Sequence, residues 1–335
     1  MTNVSAYAAL EAGLSLTPYN YHLPALEPEQ LDIKVEYCGI CHSDLSMLSN
    51  DWGMSQYPLI AGHEVIGIVE AVGEHVKGLK VGQRVGLGWF SGSCMHCYSC
   101  MSGHHNLCAT AEQTVVGRHG GFADRVRCHQ EWAFPLPDHL AAESAGPLFC
   151  GGITVFNPII QCNVLPTNRV GVIGIGGLGH LALQFLNKWG CEVTAFTSSN
   201  SKANEAKKLG AHHVVNSTDS AAMSKLANSY DFILNTTNVT LDWNAYLSAL
   251  KPLGKFHNVG AVLEPMAIPA FSLITGQKSV SGSPLGSPAT ISDMLEFCAR
   301  HAIAPVIETY PMQEINKALQ HLHAGKARYR VVLVA

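Results

Sequence analysis

The segment Arg169-Val-Gly-Val-Ile-Gly-Ile-Gly-Gly-Leu-Gly-His-Leu181 sets an apolar run against a cluster of glycines, and the architecture follows from that junction. The run reads as a strand and the residues from Leu178 to Trp189 as an apolar helix. Between them Gly174, Gly176 and Gly179 fit G-x-G-x-x-G, with Gly177 and Leu178 completing the turn. The first glycine permits a tight turn, and the second lets backbone N–H groups approach a pyrophosphate. The third lets helix pack on strand, with the helix N-terminus facing the anion. A merely tight strand–helix turn is the alternative reading. Further strands are read at Glu192–Thr197, His213–Val215 and Tyr230–Asn235, with a helix over Lys202–Leu209. This alternation predicts an α/β, doubly wound parallel sheet.

The second strand bears on cofactor choice. A chain that binds NAD usually carries an acidic residue about 20 positions after the glycines. Here the strand runs out into Phe196-Thr197-Ser198-Ser199-Asn200-Ser201-Lys202, with no carboxylate. Hydroxyls and a lysine can hold a 2′-phosphate, so NADP(H) is expected. The same residues can also form a polar loop that caps the next helix.

Residues 1–150 differ in texture. Short Val/Ile runs such as Leu31–Tyr37 and Val65–Gly73 are broken by Gly and Pro, which predicts a β-rich unit. The end of the chain contains a helix-like stretch, Ile291–His301, and a strand, Arg328–Val334. The chain has 335 residues, 47% apolar and 14% charged, enough for about two domains with a substantial core. A formal charge of −4 without a long basic run argues against nucleic acid. No cationic start leads into an apolar core, and no long apolar stretch occurs, so neither a signal peptide nor a membrane span is read. Eleven cysteines, four of them tightly clustered, do not read as a secreted disulfide framework, and a reducing cytoplasm suits them better.

Those four are Cys94, Cys97, Cys100 and Cys108, spaced C-x2-C-x2-C-x7-C. Four thiolates can close a tetrahedron around Zn2+ and leave no position for substrate. An iron–sulfur cluster is the competing reading of clustered cysteines. His96, His104 and His105 lie nearby and read as surface or supporting groups. Cys41, His63 and Cys150 form a second constellation, whose two thiolates and one imidazole would leave one metal position open. From spacing alone, each of the three reads equally well as a core residue.

Gly62-His63-Glu64-x2-Gly67-x5-Gly73-x2-Val76-x5-Gly82-x2-Val85 resembles the signature of zinc-containing medium-chain alcohol dehydrogenases. The cysteine lobe, Leu148-Phe-Cys150-Gly-Gly-Ile-Thr154 and the glycine turn occur in that family's order. Within it the chain looks most like bacterial NADP(H)-dependent cinnamyl-alcohol-dehydrogenase-like enzymes. The resemblance implies a GroES-like catalytic domain over 1–150 and 289–335 and a Rossmann domain over 151–288. It also implies two Zn2+, NADP(H), an alcohol or aldehyde substrate, and a homodimer, with a tetramer as the other assembly.

Position by position, the resemblance makes Cys41, His63 and Cys150 ligands of a catalytic zinc, and the four lobe cysteines ligands of a structural one. Glu64 matches an acidic neighbour able to approach the catalytic metal. Asp44 matches the carboxylate that orients the histidine, and Ser43 the hydroxyl that passes the substrate proton. His42 matches a pyrophosphate-side residue, and Thr154 and Leu178 match nicotinamide contacts. Thr197, Ser198 and Lys202 match 2′-phosphate contacts. Val280–Ser287 matches the segment beside the nicotinamide that contributes to a dimer. Trp52 and Trp89 match positions that narrow the substrate pocket, where two indoles would favour slim or planar aldehydes; ordinary core packing is the other reading of both. Ser46 stands where the family's relay often ends in a histidine, which leaves Ser46 or a water to complete it. The stretch Ala109–His119 is shorter than in the plant lignin enzymes, so their pocket contacts do not transfer. A zinc-independent quinone or enone reductase would lack the ligand set, and a zinc or redox sensor would not need the dinucleotide turn. The resemblance therefore implies an NADP-dependent alcohol dehydrogenase or aldehyde reductase.

Overall fold

The structure, a computed structural model that describes residues 2–335, divides into two compact units. One comprises Met1–Cys150 with Ser287–Ala335, the other Gly151–Gly286.

The first unit opens with an antiparallel ribbon of β1 (Thr2–Ala8) and β2 (Thr17–Leu23). Then come β3 (Gln30–Ile40), α1 (His42–Ser49), β4 (Glu64–Val72), β5 (Arg84–Leu87), β6 (Phe90–Gly92) and α2 (Tyr98–Met101). β7 (Glu112–Gln113), β8 (Arg125–His129), β9 (Phe134–Pro135) and α3 (Ala142–Ala145) follow. The second unit runs α4 (Gly151–Gln161), β10 (Arg169–Ile173), α5 (Gly179–Trp189), β11 (Glu192–Thr197), α6 (Ala203–Lys208) and β12 (His213–Asn216). It continues with α7 (Ser220–Ser224), β13 (Tyr230–Asn235), α8 (Trp243–Ala249), β14 (Leu250–Asn258), α9 (Ala270–Ile274) and β15 (Ser279–Gly282). The chain then returns to the first unit with α10 (Pro288–His301), β16 (Ile307–Pro311), α11 (Ile315–His323) and β17 (Arg330–Val334).

The main sheet of the first unit has the order β16-β17-β3-β4-β5-β9, with β8 also on β3. Leu31, Ile33, Val65, Val69, Val85 and Val331 are fully buried in its core. Strand register aligns three chain segments that are remote in sequence. Gly39 of β3 faces Glu64 of β4, and Ile40 faces Val331 of β17. Residues just past these pairs, Cys41, His63 and Arg330, therefore lie at one end of three adjacent strands.

In the second unit six parallel strands run in the order β12-β11-β10-β13-β14-β15, the doubly wound sheet expected from the sequence. Val170, Val172 and Ile173 of β10 are all buried, as a parallel strand covered on both faces requires. Phe196 packs edge to face against both Tyr230 and Tyr246, with centroids 5.5 and 5.4 Å apart. α5 buries Leu181, Leu183, Phe185 and Leu186 and ends at Gly190, whose φ of 110° suits only glycine well.

Boundaries differ slightly from the sequence reading. α5 begins at Gly179 with Leu178 as its cap, α6 begins at Ala203 after a single turn of 3-10 helix, and β17 begins at Arg330. Helices α1 and α4 have no clear sequence signal. α1 is two turns long and starts with polar residues, and α4 carries Pro158 in its interior. None of the described helices is long and apolar enough to cross a membrane.

Candidate active site

Strand register and one helix cap bring the scattered cysteines together. Cys41 is the N-cap of α1, in extended conformation at the end of β3. His63 immediately precedes β4, and Cys150 follows the turn Gly146–Phe149, which packs on β4 where Gly146 lies against the Glu64 carbonyl. Cys41 Sγ and Cys150 Sγ are 3.9 Å apart, and His63 Nε2 lies 3.2 Å from Cys150 Sγ. Zn–S bonds of about 2.3 Å at a tetrahedral angle place two sulfurs about 3.8 Å apart, so these donors fit a Zn2+. With one carboxylate oxygen of Glu64 included, all donor atoms lie within 4.8 Å of one another.

Asp44 organises the cluster from behind. It is fully buried. Its Oδ1 lies 2.9 Å from His63 Nδ1 and accepts the Gly62 N–H at 2.9 Å, while Oδ2 accepts the Cys41 N–H at 2.8 Å. A proton held on Nδ1 leaves Nε2 free toward the sulfurs. The Cys41 thiol sits well below its ordinary range, first because it hydrogen-bonds with Cys150, then through the charges of Arg330 and His63. The same contact and burial push Cys150 well up. Without a cation only one thiolate is accommodated, and a divalent metal is what would allow both to ionise. Ser43 Oγ is 3.8 Å from Cys41 Sγ, half-buried in the first turn of α1. Trp89 stands edge-on to His63 at 5.0 Å, and Trp52 meets Trp89 edge to face at 5.9 Å.

One residue of the cluster had no sequence signal. Arg330, the first residue of β17, pairs with Glu64, and both are buried. Glu64 reaches it across Gly39, where a Cβ would stand 2.1 Å from Glu64 Oε2. That oxygen has no hydrogen-bond partner among the described residues. Burial raises the Glu64 pKa, and Arg330 opposes the rise.

The four lobe cysteines also converge, with all donor atoms within 4.8 Å and Cys94 Sγ 3.9 Å from Cys100 Sγ. The Cys97 N–H donates to Cys94 Sγ at 3.3 Å. The Cys94 backbone N–H and the Thr110 hydroxyl bring Cys108 down to about 6. Those donors favour the Cys108 thiolate, whereas burial pushes Cys100 up to about 12, and the set closes with four sulfurs. His96 and His104 are exposed and His105 is half-buried, outside that donor set. The other five cysteines, Cys38, Cys128, Cys162, Cys191 and Cys298, are buried and free.

In the second unit each glycine of the turn meets its requirement. Gly174 has a φ of +84°. A Cβ on Gly176 would meet nothing within 4 Å, which leaves open space for a ligand, and one on Gly179 would strike the Gly174 carbonyl at 1.8 Å. Lys202 reaches back to this turn, its Nζ donating to the Ile175 carbonyl at 3.2 Å. Thr197 Oγ1 accepts the Ser199 N–H at 3.2 Å, which folds the loop that carries Ser198 exposed. The residues present therefore fit a dinucleotide with extra phosphate. His42 is exposed at the start of α1, and Thr154 is half-buried in α4.

Comparison with known proteins agrees with this geometry. Residues 27–138 match the alcohol dehydrogenase GroES-like domain, and residues 177–300 match the zinc-binding dehydrogenase family. The aldehyde reductase AdhA of Synechocystis sp. is 57% identical over 330 residues, spanning 98% of both chains. The NADP-dependent alcohol dehydrogenase C 1 of Mycolicibacterium smegmatis is 36% identical over 99% of this chain and 98% of its own. Among solved structures, a cinnamyl alcohol dehydrogenase of Sorghum bicolor superposes with a TM-score of 0.95 at 36% identity, covering 99% of this chain and 98% of that one. An enzyme from Helicobacter pylori described as CAD complexed with NADP(H) gives 0.90 at 28% identity, with the same coverage. The chain belongs to the zinc-containing medium-chain alcohol dehydrogenase family, and it is similar to cinnamyl-alcohol-dehydrogenase-like members of it.

Proposed function

We propose that the chain is an NADP-dependent zinc alcohol dehydrogenase and aldehyde reductase that acts on primary alcohols or aldehydes of broad type. The observation that carries this is the convergence of Cys41, His63 and Cys150, with Asp44 fixing the imidazole from behind. Bound there, Zn2+ supplies Lewis acidity toward an alcohol or carbonyl oxygen, and NADPH supplies the hydride.

The chain's own residues do the rest. Cys41, His63 and Cys150 would hold the metal, and Asp44 keeps the His63 proton on Nδ1 so that Nε2 faces the thiols. Ser43 hands a proton to the product oxygen or takes one from an alcohol, with Ser46 or a water leading it outward. Glu64, tethered by Arg330, is a reserve carboxylate beside the donors. Trp52 and Trp89 narrow the space next to His63 and favour slim or planar aldehydes. Cys94, Cys97, Cys100 and Cys108 hold a second Zn2+ that closes the lobe and takes no part in turnover. The turn Gly174–Gly179 receives the pyrophosphate. Thr154 and Leu178 press the nicotinamide, and Thr197, Ser198 and Lys202 hold the 2′-phosphate.

We further propose a cytoplasmic homodimer. Strand β15 forms an edge of the six-stranded sheet, and Leu253, Phe271 and Ile274 are exposed in the same unit. An unpaired edge with apolar neighbours is suited to a second copy of this chain.

The test is absorbance at 340 nm with a panel of aldehydes, run with NADPH and NADH in parallel. Turnover is expected with NADPH, and Cys41→Ser or His63→Ala should abolish it while NADPH binding persists. Normal turnover in either variant would remove the catalytic-zinc assignment, and a clear NADH preference would remove the 2′-phosphate assignment.

A further inference from the structure

A buried amide stands at the carboxyl end of β13, where the sequence pattern calls for an apolar residue. Phe232, Ile233 and Leu234 are buried, and Asn235 after them is fully buried as well. Its side chain satisfies every polar valence. Oδ1 accepts the Thr237 N–H at 3.1 Å and the Thr237 hydroxyl at 2.8 Å. Nδ2 donates to Asn258 Oδ1 at 2.6 Å and to the Thr237 carbonyl at 3.3 Å. Its backbone carbonyl accepts the Val259 N–H at 3.0 Å. Burying an amide is unfavourable unless all such bonds form, and packing alone would be served by a leucine.

These bonds shape residues 236 and 237. Thr236 donates from its hydroxyl to the carbonyls of Ile173 and Gly174, at 2.8 and 2.9 Å. The Thr237 methyl lies against Gly174, where an added Cβ would stand 2.3 Å from it. On the other side, Gly260 gives way to the Thr237 carbonyl, with a Cβ there only 1.7 Å from it. Both threonines are thus wedged between the first glycine of the turn and the end of β14, and Asn235 is the clamp that sets their position.

We propose that Asn235 is a positioning residue for the dinucleotide site: it holds Thr236 and Thr237 against Gly174 and so fixes the turn in the shape that receives the pyrophosphate. The inference rests on reading Gly174–Gly179 as that site. Its effect falls on cofactor affinity and leaves the metal chemistry untouched.

The test uses the full-length, zinc-loaded enzyme with NADPH itself as probe, titrated by nicotinamide fluorescence. Asn235→Ala strands the Thr237 N–H, and its NADPH Kd and KM should rise about tenfold or more, as expected for one lost buried hydrogen-bonded group. At saturating NADPH, kcat and the aldehyde KM should stay within about twofold, as the differential reading of mutant kinetics requires. Asn235→Asp sets a carboxylate oxygen against the Asn258 and Thr237 oxygens that Nδ2 now serves, so its Kd should rise at least as far as that of Asn235→Ala. An unchanged Kd in Asn235→Ala overturns the proposal. So does a joint loss of kcat and both KM values that tracks a lower melting temperature. If Asn235→Ala is not recovered folded, Thr237→Val removes one bond of the clamp and keeps the methyl on Gly174; an unchanged Kd there overturns the proposal equally. A parent enzyme that binds no NADPH would remove the dinucleotide reading and this inference together.

Discussion

Glu64 and Arg330, 266 positions apart, meet as a buried ion pair across the bare backbone of Gly39. Removing one partner of such a pair costs about 3–5 kcal/mol, while replacing both can be nearly neutral. Arg330→Met should therefore lower the melting temperature sharply, and Glu64→Gln combined with it should recover much of the loss. Gly39→Ala should resemble the single variant, because its methyl takes the place of the Glu64 carboxylate. Thermal melts of the three proteins beside the parent decide this, and melting of all three at the parent's temperature would show that the pair contributes nothing.

Asp44 touches His63, Gly62 and Cys41 at once. Groups that orient a ligating histidine typically contribute about 10–100-fold in metal affinity or activity. Asp44→Asn should lose that much kcat, and Asp44→Ala more. Zinc analysis should fall from two ions toward one, with the lobe ion retained. Full metal content with unchanged kcat would contradict the role.

The lobe and the catalytic cluster should separate on chelation and substitution. Cys97→Ser removes one of four sulfurs that lie within 4.8 Å. One zinc should be lost and thermal stability should drop, because lobe folding and metal binding are one free energy. The kcat of the surviving folded enzyme at 25 °C should stay near that of the parent. A loss of kcat without loss of stability would move the lobe into the reaction.

Lys202 lies over the glycine turn through the Ile175 carbonyl. Lys202→Ala should raise the KM for NADPH about tenfold and leave that for NADH nearly unchanged, the signature of a lost charge-assisted bond to phosphate. Parallel KM measurements with the two cofactors settle it.

His257 supplies a pH dependence away from both metal clusters. It is fully buried, with Ser281 Oγ and Ser283 Oγ each 2.9 Å from its ring nitrogens and Cys162 Sγ at 3.4 Å. Burial lowers its pKa from 6.5 to about 4. Between those values the unfolded chain binds the proton and the folded chain does not, so stability rises with pH. The contribution is complete above about 6.5 and is lost as pH falls toward 4. Melting temperatures between pH 7 and pH 5 should fall more steeply for the parent than for His257→Gln.

The sequence made some parts of this molecule plain and hid others for physical reasons. The dinucleotide unit was legible because strand, glycine turn and helix are consecutive, and the turn's chemistry is local. The lobe was legible because four thiols within one short segment have no packing rationale. Cys41, His63 and Cys150 gained weight through resemblance, since strand register, which no local pattern encodes, is what joins them. Arg330 was invisible: an arginine opening a short terminal strand looks like any surface residue until its partner across Gly39 is known. Asn235 was hidden in the same way, inside a run otherwise apolar.

Because β17 lies beside β3, the metal-bearing unit is closed by residues synthesised long after its cysteines. At about 5–20 residues per second, the carboxylate of Glu64 waits roughly 15–50 s on the ribosome for its guanidinium partner. During that interval the nascent chain exposes thiols, an imidazole and an unneutralised acid with no β17 to cover them. The Glu64–Arg330 pair thus belongs to the last moments of biosynthesis, whereas the lobe cysteines are complete within one short segment made much earlier.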